Sequence, residues 1–198
     1  MQFTTISFPG DQAKYITPTW DQLDELTLQI AKQIKVKAEN FDLVVALAKG
    51  AWPMSRSLVD YSQIKELASL GVKFYKGINQ RLSEPSVYQE LPIEIKNKKI
   101  LLFDDVADTG ESLRFAKDYL LQKGAKEVKV ATLLYKPWSV VEPDYYGATT
   151  EAWIIFPFER REMIDLLGKS WTKQGLDQEN ILKRYQQLGF MEVYRSVC

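Results

Sequence analysis

The chain has 198 residues, 45% of them hydrophobic and 26% charged, which suits one globular domain of ordinary size with a substantial core. Lysine plus arginine equals aspartate plus glutamate at 26 each, so no polyanion-binding field is implied and nucleic acid is not an expected partner. Histidine is absent and the single cysteine is Cys198, which excludes serine–histidine and cysteine–histidine catalysis, a disulfide framework and the usual zinc sites, and leaves acid–base work to Asp, Glu, Lys or Tyr.

The first stretch, MQFTTISFPGDQAKYITP, lacks a basic start followed by a long apolar run, so it does not read as a signal peptide. No segment approaches the roughly 18 apolar residues of a membrane span, and a cytoplasmic protein is expected. Thr19 is a plausible cap for a helix in which Leu23, Leu26, Ile30 and Ile34 fall at helical spacing. Residues 42–48 are a continuous apolar run, read as a buried strand. Gly50 and Pro53 punctuate, and MSRSLVDYSQIKELASLG reads as a helix closed by Gly71, followed by a strand at 72–76. Residues 77–92 have no firm periodicity and form either a long loop or a hairpin; loops of this length often act as lids. KKILLFDD is a third strand, ESLRFAKDYLLQKG a helix ending at Gly124, and EVKVATLLYK a fourth strand. After a proline-interrupted stretch EAWIIFPF supplies another strand, with helices in ERREMIDLLGK and ENILKRYQQLG.

Strands alternating with helices imply an α/β fold, a mainly parallel twisted sheet flanked by helices. Ligands in such sheets sit at the carboxyl ends of the strands. Lys49-Gly50, the aspartates after the third strand, and Lys136 all fall there. In ILLFDDVADTGESL, Asp104 and Asp105 emerge at a strand end and a helix begins near Gly110 to Ser112. Thr109, Gly110, Glu111 and Ser112 would present N–H groups at a helix front, with two hydroxyls added, which makes a phosphate cradle. The neighbouring carboxylates suit ribose hydroxyls or Mg²⁺. Together they describe a ribose 5-phosphate site. The plain alternative is that Asp108 or Thr109 caps the helix and the acidic pair is solvated. Two adjacent strand-end carboxylates have no folding role, which favours the site. Farther on, Lys136 at a strand end can donate to a carbonyl oxygen, and Trp153 can cover a flat ring, although a tryptophan in a strand is more often core.

ILLFDDVADTGESL resembles the phosphoribosyl-pyrophosphate (PRPP) signature of the type I phosphoribosyltransferases: an apolar strand, two acids, then Asp-Thr-Gly-x-Ser. Aspartic proteases share Asp-Thr-Gly but continue as strand, whereas ESLRFAKDYL is helical. Haloacid-dehalogenase-type phosphatases need a different acid spacing. Receiver domains share the acidic pair and Lys-Pro but leave Thr-Gly-x-Ser unexplained. The resemblance implies a phosphoribosyltransferase domain over 1–165, with a mobile hood at about 77–92, a base-binding segment at about 136–160 and a C-terminal helical extension over 166–198. LVVALAKGAW is similar to the family's pyrophosphate loop. On that match Lys49 and the N–H groups of Gly50 and Ala51 hold the diphosphate, the peptide before Lys49 is cis, and Tyr75 and Lys76 reach the same anion. Arg81, Ser83 and Tyr88 would serve in the hood.

LLYKPW and EAWIIFPFE resemble the 6-oxopurine branch, and KYITPTW its archaeal purine-salvage members. By that resemblance Lys136 contacts the purine O6, Trp153 stacks on the ring and Ile154 reads its edge through the backbone. Pro157, Phe158 and Glu159 complete the pattern. Glu159, where some members carry Asp, would face the pyrophosphate through Mg²⁺ or water, beside Asp104 and Asp105. Asp108 would sit near N7 as general base, and Asp108, Thr109, Gly110, Glu111 and Ser112 would together hold the 5′-phosphate. The implied reaction transfers 5-phosphoribosyl from Mg²⁺-bound PRPP to N9 of guanine, hypoxanthine or xanthine, giving pyrophosphate and a nucleoside monophosphate, in a homodimer or homotetramer. Two alternatives stand beside it: a non-catalytic PRPP or nucleotide sensor on the same fold, and a phosphoribosyltransferase for another base. Lys136 with Trp153 argues against adenine, whose 6-amino group prefers an acceptor. Residues 166–198 carry no motif and suit packing or assembly.

Overall fold

A computed structural model of the chain describes residues 2–76 and 83–197, the side chains of 74–76, 83, 84 and 197 apart. In chain order the elements are β1 (Ile6–Ser7), β2 (Lys14–Ile16), α1 (Trp20–Val36), β3 (Leu43–Ala48), α2 (Trp52–Ser62), β4 (Glu66–Lys76), β5 (Ser83–Gln89), β6 (Lys99–Ala107), α3 (Glu111–Gln122), β7 (Glu127–Tyr135), β8 (Tyr145–Thr149), β9 (Trp153–Ile154), α4 (Arg160–Lys173), α5 (Gln178–Gln187) and α6 (Met191–Val197). They form two compact units, one over Leu23–Thr150 and one that joins Gln2–Gln22 to Glu151–Cys198. The boundary expected at residue 165 falls inside α4. None of the described helices is long and apolar enough to cross a membrane.

The first unit is a six-stranded sheet in the order β5-β4-β3-β6-β7-β8, parallel except for β5, which pairs antiparallel with β4. Its central strands are unbroken apolar runs because helices bury both faces. On one face Leu113, Ala116 and Leu120 of α3 pack with Val45, Leu47, Leu102 and Val130. The alternate positions Val44, Ala46, Leu101 and Phe103 are equally buried, so the other face is covered too. Thr19 and Gln22 cap α1 reciprocally, each side chain accepting the other's backbone N–H at 3.2 and 2.9 Å, as expected of Thr19. Farther along, Gln33 of α1 and Lys37 just beyond it donate to the carbonyls of Tyr146 and Asp144.

Several local expectations are corrected. The helix expected to reach Gly71 stops at Ser62, with Gln63 in the left-handed conformation, and the chain resumes as β4 from Glu66. KELASLG favours helix locally, but six consecutive residues pair with Leu43–Ala48, and Ala68 and Leu70 turn inward at strand spacing. Tertiary pairing overrides propensity here. Gly71 is therefore no helix cap; the β4–β5 register shifts beside it. Of the two readings of residues 77–92, the hairpin holds for 83–89, which pair antiparallel with β4, with Tyr88 exposed. Arg81 lies outside the described residues, and the side chains of Tyr75, Lys76 and Ser83 outside the described side chains. The proline-interrupted stretch supplies β8, and the strand expected in EAWIIFPF shrinks to β9, in a different sheet.

That second sheet belongs to the second unit. β2 pairs antiparallel with β1 and parallel with β9, setting Tyr15 beside Trp153 and Ile16 beside Ile154. The core beneath it joins Phe8, Tyr15 and Ile155 to Met163, Leu167 and Trp171 of α4 and to Tyr185, Leu188 and Phe190. At its centre the buried carboxylate of Asp11 accepts from the Tyr15 hydroxyl at 2.8 Å and the Trp171 indole at 2.9 Å, and pairs with Arg184 at 3.4 Å. The Arg184 guanidinium lies 5.0 Å from the ring centres of both Phe8 and Trp171. Burial, and then Asp11, push the Tyr15 hydroxyl far above its usual range. Residues 166–198 thus lock the N-terminal segment into one packed body.

Candidate functional site

β3, β6 and β7 are adjacent and parallel, so the loops after them leave one edge of the sheet. The first is Lys49-Gly50-Ala51, preceded by a cis Ala48–Lys49 peptide of the kind the resemblance implies. Lys49 is exposed. A Cβ on Gly50 would stand 2.6 Å from the carboxyl carbon of Asp105, so glycine is what lets that acid close on the loop. Ala51 differs from expectation. It is 1% exposed and its N–H donates to the Leu47 carbonyl at 3.1 Å, which leaves it no donor for a diphosphate.

β6 runs on to Ala107, so Asp104 and Asp105 lie within the strand and not beyond its end. Asp105 is buried against Gly50, while half-buried Asp104 accepts the Asp105 N–H at 3.0 Å. These are hard oxygen donors of the sort magnesium takes, alongside waters and substrate oxygens. Among the described residues no three acid, histidine or cysteine side chains gather into a preformed metal cage.

Past the strand, Asp108 and Thr109 are exposed and α3 begins at Glu111. Its cap position, Gly110, has φ +81° and offers no side chain. The Glu111 N–H makes only a long 3.4 Å contact with the Thr109 hydroxyl. Among the described residues the amides of Gly110, Ser112 and Leu113 find no acceptor. A helix front left open in this way concentrates partial positive charge and free donors, which is what an anion requires.

The third loop closes on the second. The amides of Lys136 and Val140 donate to the carbonyls of Ala107 and Thr109 at 3.0 and 2.9 Å. A Cβ on Gly110 would fall 2.8 Å from the Val141 nitrogen and against the Ser139 hydroxyl. Lys136, expected at a strand end as a donor to a carbonyl oxygen, is 4% exposed, with the Trp138 ring centre 5.2 Å from its ammonium. The Trp138 indole N–H also donates to Asp108 Oδ1 at 3.1 Å. Sequence reading passed over Trp138, because its partner lies thirty positions away; its only local signal is a large aromatic in a turn.

In the second unit Trp153 is half-exposed and lines an open cleft of about 440 Å³ with Tyr15, Met163 and Leu166, while Ile154 is buried. Glu159 occupies the cap position of α4 without capping it. Burial, and then the nearby Glu162, push its carboxyl above the usual carboxylate range.

A model of the phosphoribosyl transferase domain matches residues 19–161. The hypoxanthine-guanine phosphoribosyltransferase of Streptococcus pneumoniae is 28% identical over 137 residues, which are 67% of this chain and 76% of that protein. The crystal structure of a purine phosphoribosyltransferase from Pyrococcus horikoshii is similar with a TM-score of 0.66 and 33% identity, over 73% of this chain and 93% of that one. The bifunctional protein TilS/HprT of Listeria innocua is 27% identical over 132 residues, and there the match spans 20% of the relative's length.

Proposed function

The chain belongs to the phosphoribosyltransferase family, with the type I fold and on the 6-oxopurine branch, and is a pentosyltransferase; from that premise we propose that it transfers the 5-phosphoribosyl group of PRPP to N9 of guanine, hypoxanthine or xanthine. The observation that carries the proposal is the uncapped front of α3, set on the same sheet edge as the β6 acids and the Lys49 loop. The amides of Gly110 and Ser112 and the hydroxyls of Thr109 and Ser112 hold the 5′-phosphate. Asp104 and Asp105 hold the ribose hydroxyls. Lys49 and the Gly50 N–H hold the diphosphate, with Lys76 assigned to the same anion, and oppose the charge that grows as the C1′–O bond breaks. As C1′–N9 forms, the base loses a proton to Asp108. Lys136 donates to O6, Trp153 stacks on the ring, and Ile154 reads its edge. Asp104 and Asp105, with Glu159 directly or through water, would hold magnesium, which would supply charge neutralisation of the diphosphate. The reading takes from the family a cytoplasmic homodimer or homotetramer.

Incubation with PRPP, Mg²⁺ and each of hypoxanthine, guanine, xanthine and adenine tests it through pyrophosphate release. Release with one or more of the first three and not with adenine is expected. Release with adenine alone refutes the base assignment. PRPP binding without release from any base points to a sensor.

A further inference from the structure

We infer that Trp138 is a positioning residue for Asp108, an inference that rests on the transferase reading above. The indole N–H engages Oδ1, and among the described residues that is the only hydrogen bond Asp108 receives, so Oδ2 is left to face the base. The same ring lies across the ammonium of Lys136, a cation–π contact at 5.2 Å. One side chain therefore touches both groups assigned to the base, at its N7 edge and at O6, and fixes the spacing between them.

Core packing does not account for this placement. Trp138 is 53% exposed, so much of its apolar surface remains in water. Nor is the loop that carries it loosely held. Ser139 donates through its N–H to the Lys136 carbonyl at 3.0 Å and through its hydroxyl to the Val141 carbonyl at 3.0 Å, and Val140 is tied to Thr109. An exposed aspartate otherwise samples several rotamers. A donor presented from an ordered turn restricts it to one, and reaction rates are sensitive to misplacement of that kind.

Trp138→Phe keeps a ring over Lys136 and removes the donor. With the hypoxanthine or guanine reaction as readout, its kcat should fall about 10-fold, the loss expected for one charge-assisted hydrogen bond, with KM for PRPP unchanged. Asp108→Asn should fall about 100-fold, and the double variant no further, since the indole acts only through the carboxylate. Wild-type kcat in Trp138→Phe, or effects that multiply in the double variant, would overturn the inference while leaving the transferase reading intact. No turnover by wild type with any base refutes the transferase reading instead. A readout independent of turnover is the indole N–H resonance of Trp138. It should shift between wild type and Asp108→Asn, whereas a resonance indifferent to that substitution means that the indole does not hold Asp108.

Discussion

Asp108 and Asp11 each accept a hydrogen bond from a tryptophan indole, but the two pairs are built for different ends. Asp11 is buried, its oxygens also serve Tyr15 and Arg184, and its partner Trp171 is fully enclosed. Asp108 stands in solvent, takes one bond among the described residues, and its partner is half-exposed. A saturated buried acid holds elements together, because any oxygen left unmatched there would cost several kcal/mol. An exposed acid with an oxygen to spare does nothing for the fold and keeps its bonding capacity for a ligand. The helix fronts repeat the contrast: α5 is closed by Asp177, which accepts the Asn180 N–H at 2.8 Å, and α3 is left open.

The largest effect is expected at the saturated acid. Asp11→Ala strands Arg184 between two rings and should cost about 3–5 kcal/mol in urea unfolding. Asp108→Ala should cost under about 0.5 kcal/mol, and equal losses would erase the distinction. Next comes Gly110→Ala. Its left-handed φ and the collision with the Val141 nitrogen together cost roughly 2–3 kcal/mol, expected as a fall of about 100-fold in kcat/KM for PRPP. The two helix fronts offer a reciprocal pair. Asp177→Ala should lower stability by about 1 kcal/mol, or ~2–4 °C in Tm, with turnover unchanged. Ser112→Ala should leave Tm unchanged and raise KM for PRPP about 10-fold.

The smallest effect is at Glu159. Because its folded-state pKa is raised, its contribution to stability is complete below the ordinary carboxylate range and is lost as pH rises through the folded value. Glu159→Gln keeps the neutral form, so Tm should rise by roughly 1–2 °C at pH 7.5, and the gain should disappear as pH approaches 4. A gain that grows on acidification would show the carboxyl to be stabilised in its charged form.

Much of this was written locally in the chain. The parallel core was legible because LVVALA, KILLF and EVKVATLLY are long apolar runs ending in polar turns, and the α3 front because its glycine and hydroxyls are consecutive. What escaped were strands of two to five residues, β1, β2 and β8, too short to show a period, and β4, whose sequence favours helix until β3 pairs with it. The engagement of the Ala51 amide was not legible because whether an amide is free depends on its partner, nor the burial of Lys136 because burial depends on what folds over it. Trp138 and Asp11 draw their meaning from residues thirty to more than one hundred and sixty positions away.

The pairing of β2 with β9 also has a consequence for synthesis. Tyr15 leaves the ribosome far ahead of Trp153, and everything from Leu23 to Thr150 emerges between them. That intervening body holds all of its own strand partners and can complete its sheet during elongation, as domains generally do. The flanking body cannot; Phe8 and Tyr15 wait without most of their hydrophobic neighbours until α4 and α5 have been made. Once Thr150 has emerged, the nascent chain therefore carries one body able to be complete beside an N-terminal segment whose core partners are still to be made, exposed to any chaperone that reads such segments.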